Sequence, residues 1–283
     1  MRQVYRDLLV SVESRLRAAG LQDPAREAQI LLKEAAHITP LQEGALPLAQ
    51  LEALERAVER RCQREPLAYI LGHVPFLGLE IQVDRRALIP RPETEILADL
   101  VLHSLSKKKI TGRVPQLLDL CCGSGCLAVA LGAHLSKWAM CASDLSPEAL
   151  ELAEVNARGS QVPVLFKHGD LLAPWQGWRF DAIVCNPPYI ARREWQDVLE
   201  PEVQQEPALA LFGGEDGLLF YRRLKEDLLS HLQPHGEVWL EIGFDQGDVI
   251  RKMFSCMGRG SILKDLSGCD RFFRLEVGAG EEL

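Results

Sequence analysis

The chain has 283 residues, room for one large domain or for a domain with a smaller companion, and 47% of them are hydrophobic, enough for a buried core. No apolar run approaches the length of a membrane span, and "MRQVYRDLLVSVESRL" lacks the continuous apolar segment of a secretory leader. Asp7 and Glu13 beside its arginines disfavour a mitochondrial presequence. A net charge of −8 argues against affinity built by wrapping duplex phosphates, so no direct nucleic-acid contact is expected.

Residues 3–64 read as helices only. Val4, Leu8, Leu9, Val12 and Leu16 recur at helical spacing, and Gly20 ends that helix. Asp23-Pro24 supplies an N-cap with proline at the first helical position, and Ala28, Ile30, Leu31 and Leu32 give the next helix its apolar side. A third helix runs from about Pro47 to Arg64, with Leu51, Leu54 and Val58 on one face. We assign a helical domain to residues 1–72. "PLAYILGHVPFLGLEIQVDRRALIP" then changes to Gly and Pro punctuation and β-branched residues, so a connector with a β-hairpin is expected over 73–91. A helix starting near Pro92 opens a second domain, 92–283.

From Pro115 the pattern alternates. "QLLDLCC", "WAMCASDL", "VPVLFKHGD", "FDAIVCN" and "GEVWLEIG" read as strands; "GSGCLAVALGAHL", "SPEALELAEVNA" and "DGLLFYRRLKEDLLSHL" read as helices. Alternation at this length predicts an α/β domain with an open, mostly parallel sheet covered by helices on both faces. The β-like runs "GSILKDLS" and "RFFRLEVG" are joined by only Gly268-Cys269-Asp270, too short for a parallel crossover, so the last strand should be antiparallel. The eight cysteines do not form paired CxxC motifs, and several sit in predicted strands. Buried reduced thiols of a cytoplasmic protein fit them better than a metal site, and no metal is expected.

Gly123 and Gly125 lie between a strand and a helix, where glycine lets a backbone approach a ligand and a helix N-terminus attracts an anion. Gly123-Ser124-Gly125-Cys126-Leu127-Ala128 also fits the G-x-G-x-x-A dinucleotide fingerprint, so NAD and a plain tight turn both remain open on the motif alone. Asp144 ends the next strand, where an acid can bind ribose hydroxyls of NAD or of S-adenosylmethionine. Asp170 ends the third, where a carboxylate could meet an adenine amino group or simply serve a turn. Asn186-Pro187-Pro188-Tyr189 ends the fourth. Two prolines cannot continue a strand ladder, and Pro187 drives Asn186 out of the helical region. The carbonyls of this turn and the Asn186 amide oxygen can accept both hydrogens of a planar –NH2 group. Held that way, a poorly nucleophilic nitrogen is aimed at an electrophile, and the acceptors bind more strongly as positive charge grows on it. Tyr189 would pack against the flat group. A hydride-transfer site has no obvious use for such a turn.

At this point the chain resembles class I S-adenosylmethionine methyltransferases that act on planar –NH2 nitrogens, and within them the HemK/PrmC family. The resemblance rests on "LIPRPETEIL" (88–97), "LLDLCCGSG" (117–125), "NPPYI" (186–190), "EPALALFGGEDGLLFYRRL" (206–224), "LEIGFDQG" (240–247) and "DLSGCDRF" (265–272). It implies a class I, Rossmann-like S-adenosylmethionine-dependent methyltransferase fold with a small N-terminal helical domain. It implies methyl transfer to the glutamine of the Gly-Gly-Gln motif of class I peptide chain release factors, with S-adenosylhomocysteine as product and neither metal nor covalent enzyme intermediate. Carried over to this sequence, Cys121, Cys122, Gly123, Ser124, Gly125, Asp144, Asp170, Leu171 and Asn186 would touch the cofactor. Asn186, Pro187, Pro188 and Tyr189 would hold the glutamine amide, with Asn186, Pro187 and Tyr189 serving the chemistry.

The sequence departs from the family's usual pattern at two places. Cys121 and Cys122 stand where the family usually has glycine and a small hydroxyl residue; a Cβ disfavours positive φ, so Cys121 should narrow the freedom of the turn. Leu171 stands where some members place an aromatic residue against adenine, which implies a weaker contact. Glu93 and Glu95 sit two apart on a helix, do not share a face, and so are not a catalytic acid–base pair; at least one is expected to be structural. A glutamine methyltransferase of a ribosomal protein, a nucleobase amino methyltransferase and a degenerate fold that only binds are the competing readings.

Overall fold

A computed structural model of the chain describes residues 2–41, 45–197 and 200–278. The chain forms two compact units: Met1–His73 with Glu200–Gln205, and Val74–Leu199 with Glu206–Leu283.

In the first unit, α1 (Arg2–Ala18) ends as expected, at Gly20, whose φ of 76° suits glycine. α2 (Pro24–Ile30) is capped by Asp23, whose side chain accepts from the Arg26 N–H at 3.3 Å, and it continues as a wider turn through Ala35. α3 spans Leu48–Cys62, within two residues of the expected span, and α4 is the short Leu67–Leu71. The apolar faces close on Leu16, Leu31, Leu32, Ile38 and Val58, all essentially inaccessible to water. Glu200–Gln205 packs into this unit through charge. Glu202 accepts from Arg61 at 2.9 Å and from Arg64 at 2.8 Å, and the buried Arg61 also pairs with Glu27 at 2.5 Å.

The expected hairpin consists of β1 (His73–Phe76) and β2 (Leu79–Gln82), all but His73 in the second unit. Leu77 and Gly78 turn it at φ 46° and 78°, the pair of positive angles that a two-residue hairpin turn of matching twist requires. α5 (Pro92–Leu105) follows. Glu95 on its first turn accepts from the Leu77 N–H at 2.7 Å, so this acid is structural and ties the hairpin to the helix.

The sheet consists of β3 (Gln116–Leu120), β4 (Ala139–Asp144), β5 (Val164–His168), β6 (Phe180–Cys185), β7 (Leu232–Glu241), β8 (Arg259–Lys264) and β9 (Asp270–Glu276), in the order β5-β4-β3-β6-β7-β9-β8. The first five run parallel; β9 is antiparallel to both β7 and β8, as the three-residue Gly268–Asp270 link dictates. Helices α6 (Cys126–His134), α7 (Pro147–Gly159), α8 (Arg192–Asp197), α9 (Leu219–Asp227) and α10 (Gly247–Met253) complete the unit. Successive strands step one way from β3 to β5 and the other way from β6 to β7. The carboxyl ends of β3 and β6 therefore flank the switch point, where open α/β sheets bind ligands.

Asp181, the acid that interrupts the apolar run of β6, is buried and accounted for. It accepts from both Nη atoms of Arg113 and from the Gln116 N–H at 2.9 Å. β3 stops at Leu120, two residues sooner than expected, because Cys121 leaves the extended region at φ 57°. Among the described residues, no helix is long and apolar enough to cross a membrane.

Candidate active site

The turn after β3 carries three left-handed residues in five: Cys121 (φ 57°), Gly123 (φ 54°) and Gly125 (φ 75°). Gly125 is required by packing as well, since a Cβ there would lie 2.9 Å from the Cβ of Ala153 on α7. At Gly123 a Cβ would meet Ala87 at an ordinary contact distance of 3.9 Å, so it is the positive φ and not crowding that calls for glycine there. Cys121 adopts the geometry expected of glycine despite its Cβ, so the turn keeps its shape and the cost appears as strain rather than as a different loop. A β-branched residue tolerates this region least. Cys121→Val should therefore destabilise the protein by about 1–3 kcal/mol while Cys121→Gly stays within about 1 kcal/mol of the parent, as read by urea denaturation. Equal stabilities for the two variants would contradict the assignment of strain.

Asp144 holds this turn in place. Its Oδ2 accepts from the Gly123 N–H at 2.8 Å and its Oδ1 from the Ser146 N–H at 2.9 Å. Burial pushes its pKa up, and backbone donation from Ser146, Gly123 and Leu145 pulls it back down without cancelling the rise. Behind the turn, Asp119 is fully buried and accepts from the Ala128 N–H at 2.9 Å, at the start of α6; burial pushes its pKa up to about 8. Burial likewise pushes the Cys126 thiol up to about 12 and Cys122 well up, so these cysteines pack as thiols and are not poised as nucleophiles. All eight cysteines are free.

At the end of β5, Gly169 (φ 157°) lets Pro174 approach to 3.0 Å of where a Cβ would stand, and Leu171 takes φ 46°. The carboxylate of Asp170 accepts from Arg223 of α9 at 2.5 Å. At the end of β6, the Asn186 Nδ2 donates to the Thr94 hydroxyl at 3.1 Å, and that hydroxyl donates to Glu241 Oε2 at 2.7 Å. The Tyr189 hydroxyl donates to the other oxygen of the same carboxylate at 3.1 Å. Glu241 is 1% exposed; burial pushes its pKa up, while Thr94, Tyr189 and the charge of Arg271 act against the rise. Tyr189 is pushed well up by burial and by Glu241, so its phenol stays protonated and able to donate.

The backbone of the turn is clamped as well. Gln246 donates to the Tyr189 carbonyl at 3.2 Å and accepts from the Gly243 N–H at 2.9 Å. Ile190 donates to the Leu211 carbonyl at 3.0 Å and accepts from the Gly213 N–H at 2.8 Å, and Gly213 and Gly217 would each bring a Cβ within 2.7 Å of the Tyr189 backbone. These glycines are there for close approach.

Of the residues singled out from sequence, Cys121, Cys122, Gly123, Ser124, Asp144, Asp170, Leu171, Asn186 and Pro188 line one cavity at the carboxyl ends of the strands. Gly125 faces α7, Pro187 is buried in the turn, and the Tyr189 hydroxyl reaches Glu241, so these three stand beside the cavity rather than on its wall. Sequence reasoning passed over Thr94, Glu206, Glu241 and Gln246. A signal existed for Glu241: an acid inside the apolar run "VWLEIG" must have a buried partner, as Asp181 does in "FDAIV". Among the described residues, no group of three or more His, Cys, Asp or Glu side chains gathers as a metal site would.

A PrmC N-terminal domain model matches residues 7–72 and a methyltransferase small domain model matches residues 93–215. The release factor glutamine methyltransferase of Chlamydia trachomatis serovar D is 40% identical, over 97% of this chain and 94% of its own length. That of Deinococcus radiodurans is 36% identical over 97% and 99%, and that of Moorella thermoacetica 37% over 95% and 96%. Among solved structures, the hMettl16 catalytic domain in complex with MAT2A 3′UTR hairpin 1 superposes with a TM-score of 0.55 at 16% identity, covering 83% of this chain and 81% of that one. The Thermus thermophilus 16S rRNA N2 G1207 methyltransferase in complex with AdoMet and guanosine gives 0.51 at 17%, covering 72% and 49%. At such identities these two speak for the fold alone, and the fold is the expected class I methyltransferase sheet with its antiparallel last strand. With relatives at 36–40% identity aligned along nearly its whole length, the chain belongs to the release factor glutamine methyltransferase family.

Proposed function

We propose that this chain transfers a methyl group from S-adenosylmethionine to the side-chain amide nitrogen of the glutamine in the Gly-Gly-Gln motif of class I peptide chain release factors. The observation that carries this is the Asn186 amide: it lines the cavity at the end of β6, beside the glycine turn and Asp144, with its nitrogen turned to Thr94.

The cavity residues fit the cofactor. Asp144 is a partly buried carboxylate that accepts backbone bonds on both oxygens, from Gly123 and Ser146 among others, and keeps lone-pair capacity for a ribose diol. Leu145, Leu171 and Phe220 line the same cavity and offer apolar surface to an adenine. Gly123 lines the cavity without a side chain, which lets a methionine backbone approach the turn. When bound, S-adenosylmethionine supplies the electrophilic methyl of its sulfonium.

The protein's share is orientation. The Asn186 Oδ1 and a carbonyl of the Asn-Pro-Pro-Tyr turn accept the two amide hydrogens of the glutamine, turning the face of its nitrogen toward the methyl. The nitrogen gains positive charge as its bond to the methyl forms and the methyl–sulfur bond breaks, so both acceptors bind the transition state more tightly than the substrate, and the nitrogen then gives up one proton to solvent. Tyr189, held by Glu241, packs against the flat amide. Glu95 is committed to the Leu77 N–H and is not the base.

Asp144→Ala should weaken S-adenosylmethionine binding by about 1.5–3 kcal/mol, roughly 10- to 100-fold, as for loss of a charged hydrogen-bond partner. Calorimetry showing unchanged affinity would remove Asp144 from the cofactor site, and thermal stabilisation by NAD in place of S-adenosylmethionine would overturn the cofactor.

The helical unit, residues 1–72 in the division made from sequence, is assigned to substrate recognition. One flat side chain cannot distinguish a release factor from another protein, so selectivity requires contacts elsewhere. A chain beginning at Val74 should lose far more kcat/KM on an intact release factor than on a Gly-Gly-Gln peptide. Equal losses would give the helices a purely structural role.

A further inference from the structure

The Asn186 amide works as an acceptor only if its oxygen, and not its nitrogen, faces the substrate. The two ends of an amide have nearly the same shape, so packing cannot choose between them. Hydrogen counting can. The Thr94 hydroxyl has a single hydrogen and donates it to Glu241 Oε2, at 2.7 Å, and the other oxygen of that carboxyl also accepts, from the Tyr189 hydroxyl. What Thr94 then offers to Asn186, at 3.1 Å, is a lone pair. Only the –NH2 end of the amide can meet a lone pair favourably, and Oδ1 is thereby left for the substrate. In the flipped orientation two acceptors would face each other at Thr94, and an –NH2 group would face the –NH2 group of the glutamine.

We infer that Thr94 and Glu241 are positioning residues that set the polarity of the Asn186 amide. This rests on the reading of Asn186 as acceptor. Thr94 is 2% and Glu241 1% exposed, so water does not compete for these bonds and the direction set at β7 passes undiluted to the turn. The second oxygen of Glu241 receives the Tyr189 hydroxyl, and the Glu241 carbonyl receives the Tyr221 hydroxyl at 2.8 Å. One buried carboxylate thus fixes both ends of the Asn-Pro-Pro-Tyr turn.

A plain structural strut between α5 and β7 would use the same two residues, so the test must separate the two roles. Thr94→Val keeps the shape and removes the hydroxyl; Thr94→Ser keeps the hydroxyl. The full chain is assayed with S-adenosylmethionine and a Gly-Gly-Gln peptide, with cofactor affinity measured by calorimetry. Thr94→Val should lower kcat at least about 10-fold with cofactor affinity within about threefold, and Thr94→Ser should stay within about threefold of the parent in both. Thr94→Ala, smaller than valine and also without a hydroxyl, must show the same kcat loss. In an Asn186→Ala background, Thr94→Val should cost nothing further, because the amide it orients is gone. Parental kcat for Thr94→Val, a full further loss in the Asn186→Ala background, or failure of Thr94→Ser to restore kcat would each overturn the inference. Near-normal turnover of Asn186→Ala itself would instead overturn the reading of Asn186 on which it rests.

Discussion

Asn186→Ala is expected to lower turnover by roughly 10²-fold or more while leaving S-adenosylmethionine affinity within a few fold, as for loss of one preorganised transition-state partner. The two halves of this expectation come from different places in the site. Cofactor binding is assigned mainly to the glycine turn, to Asp144 and to the walls around Leu145 and Leu171, while the Asn186 amide shares the cavity but bonds to Thr94. The substrate nitrogen, by contrast, is a poor nucleophile unless it is oriented, and in this account Asn186 supplies one of the two acceptors that orient it. A fall in kcat together with kcat/KM, measured at saturating cofactor, separates this from loss of substrate binding alone. Near-normal turnover would take Asn186 out of the mechanism.

Glu206→Ala should lower stability by about 3 kcal/mol, with a fall in melting temperature of roughly 6–12 °C. The Glu206 side chain is 2% exposed and accepts from the Ile89 N–H at 3.0 Å and from Arg91. It therefore staples two stretches that both line the cavity: Leu88 and Pro90 flank Ile89, while Pro207, Leu209 and Ala210 follow Glu206. Alanine would strand a buried backbone donor and leave a partly buried guanidinium without its partner. Arg91 is 30% exposed, which keeps the cost at the lower end of the range for broken buried pairs. Cofactor affinity should fall too, because both wall segments loosen. A melting temperature within about 2 °C of the parent would contradict the staple.

What could be read from the sequence was local. Asp23-Pro24, the paired glycines after β3, the short Gly268–Asp270 link and the two prolines after Asn186 each restrict the backbone within a few residues, and each appears in the structure where expected. The family motifs carried further, yet they were read as strings, and the side chains that connect them were not visible. Thr94 and Glu241 lie 147 residues apart, and Arg61 and Glu202 lie 141 apart. No period or spacing marks such pairs, so neither the network behind Asn186 nor the packing of Glu200–Gln205 into the helical unit was legible. α8 and α10, of 6 and 7 residues, are too short for an apolar period to stand out. Cys121 is a different case. Its reluctance to take positive φ was legible, but the surrounding bonds to Asp144 and the close packing of Gly125 on Ala153 hold the turn regardless.

The most direct test of the central claim is to incubate the purified chain with methyl-labelled S-adenosylmethionine and an intact class I release factor, then map the label by peptide mass spectrometry. The account predicts one methyl group on the side-chain nitrogen of the Gly-Gly-Gln glutamine, absent when that glutamine is replaced by glutamate and reduced about 10²-fold or more with Asn186→Ala. Label on a different residue of the factor, or transfer only to a ribosomal protein or a nucleic acid offered in its place, would contradict it.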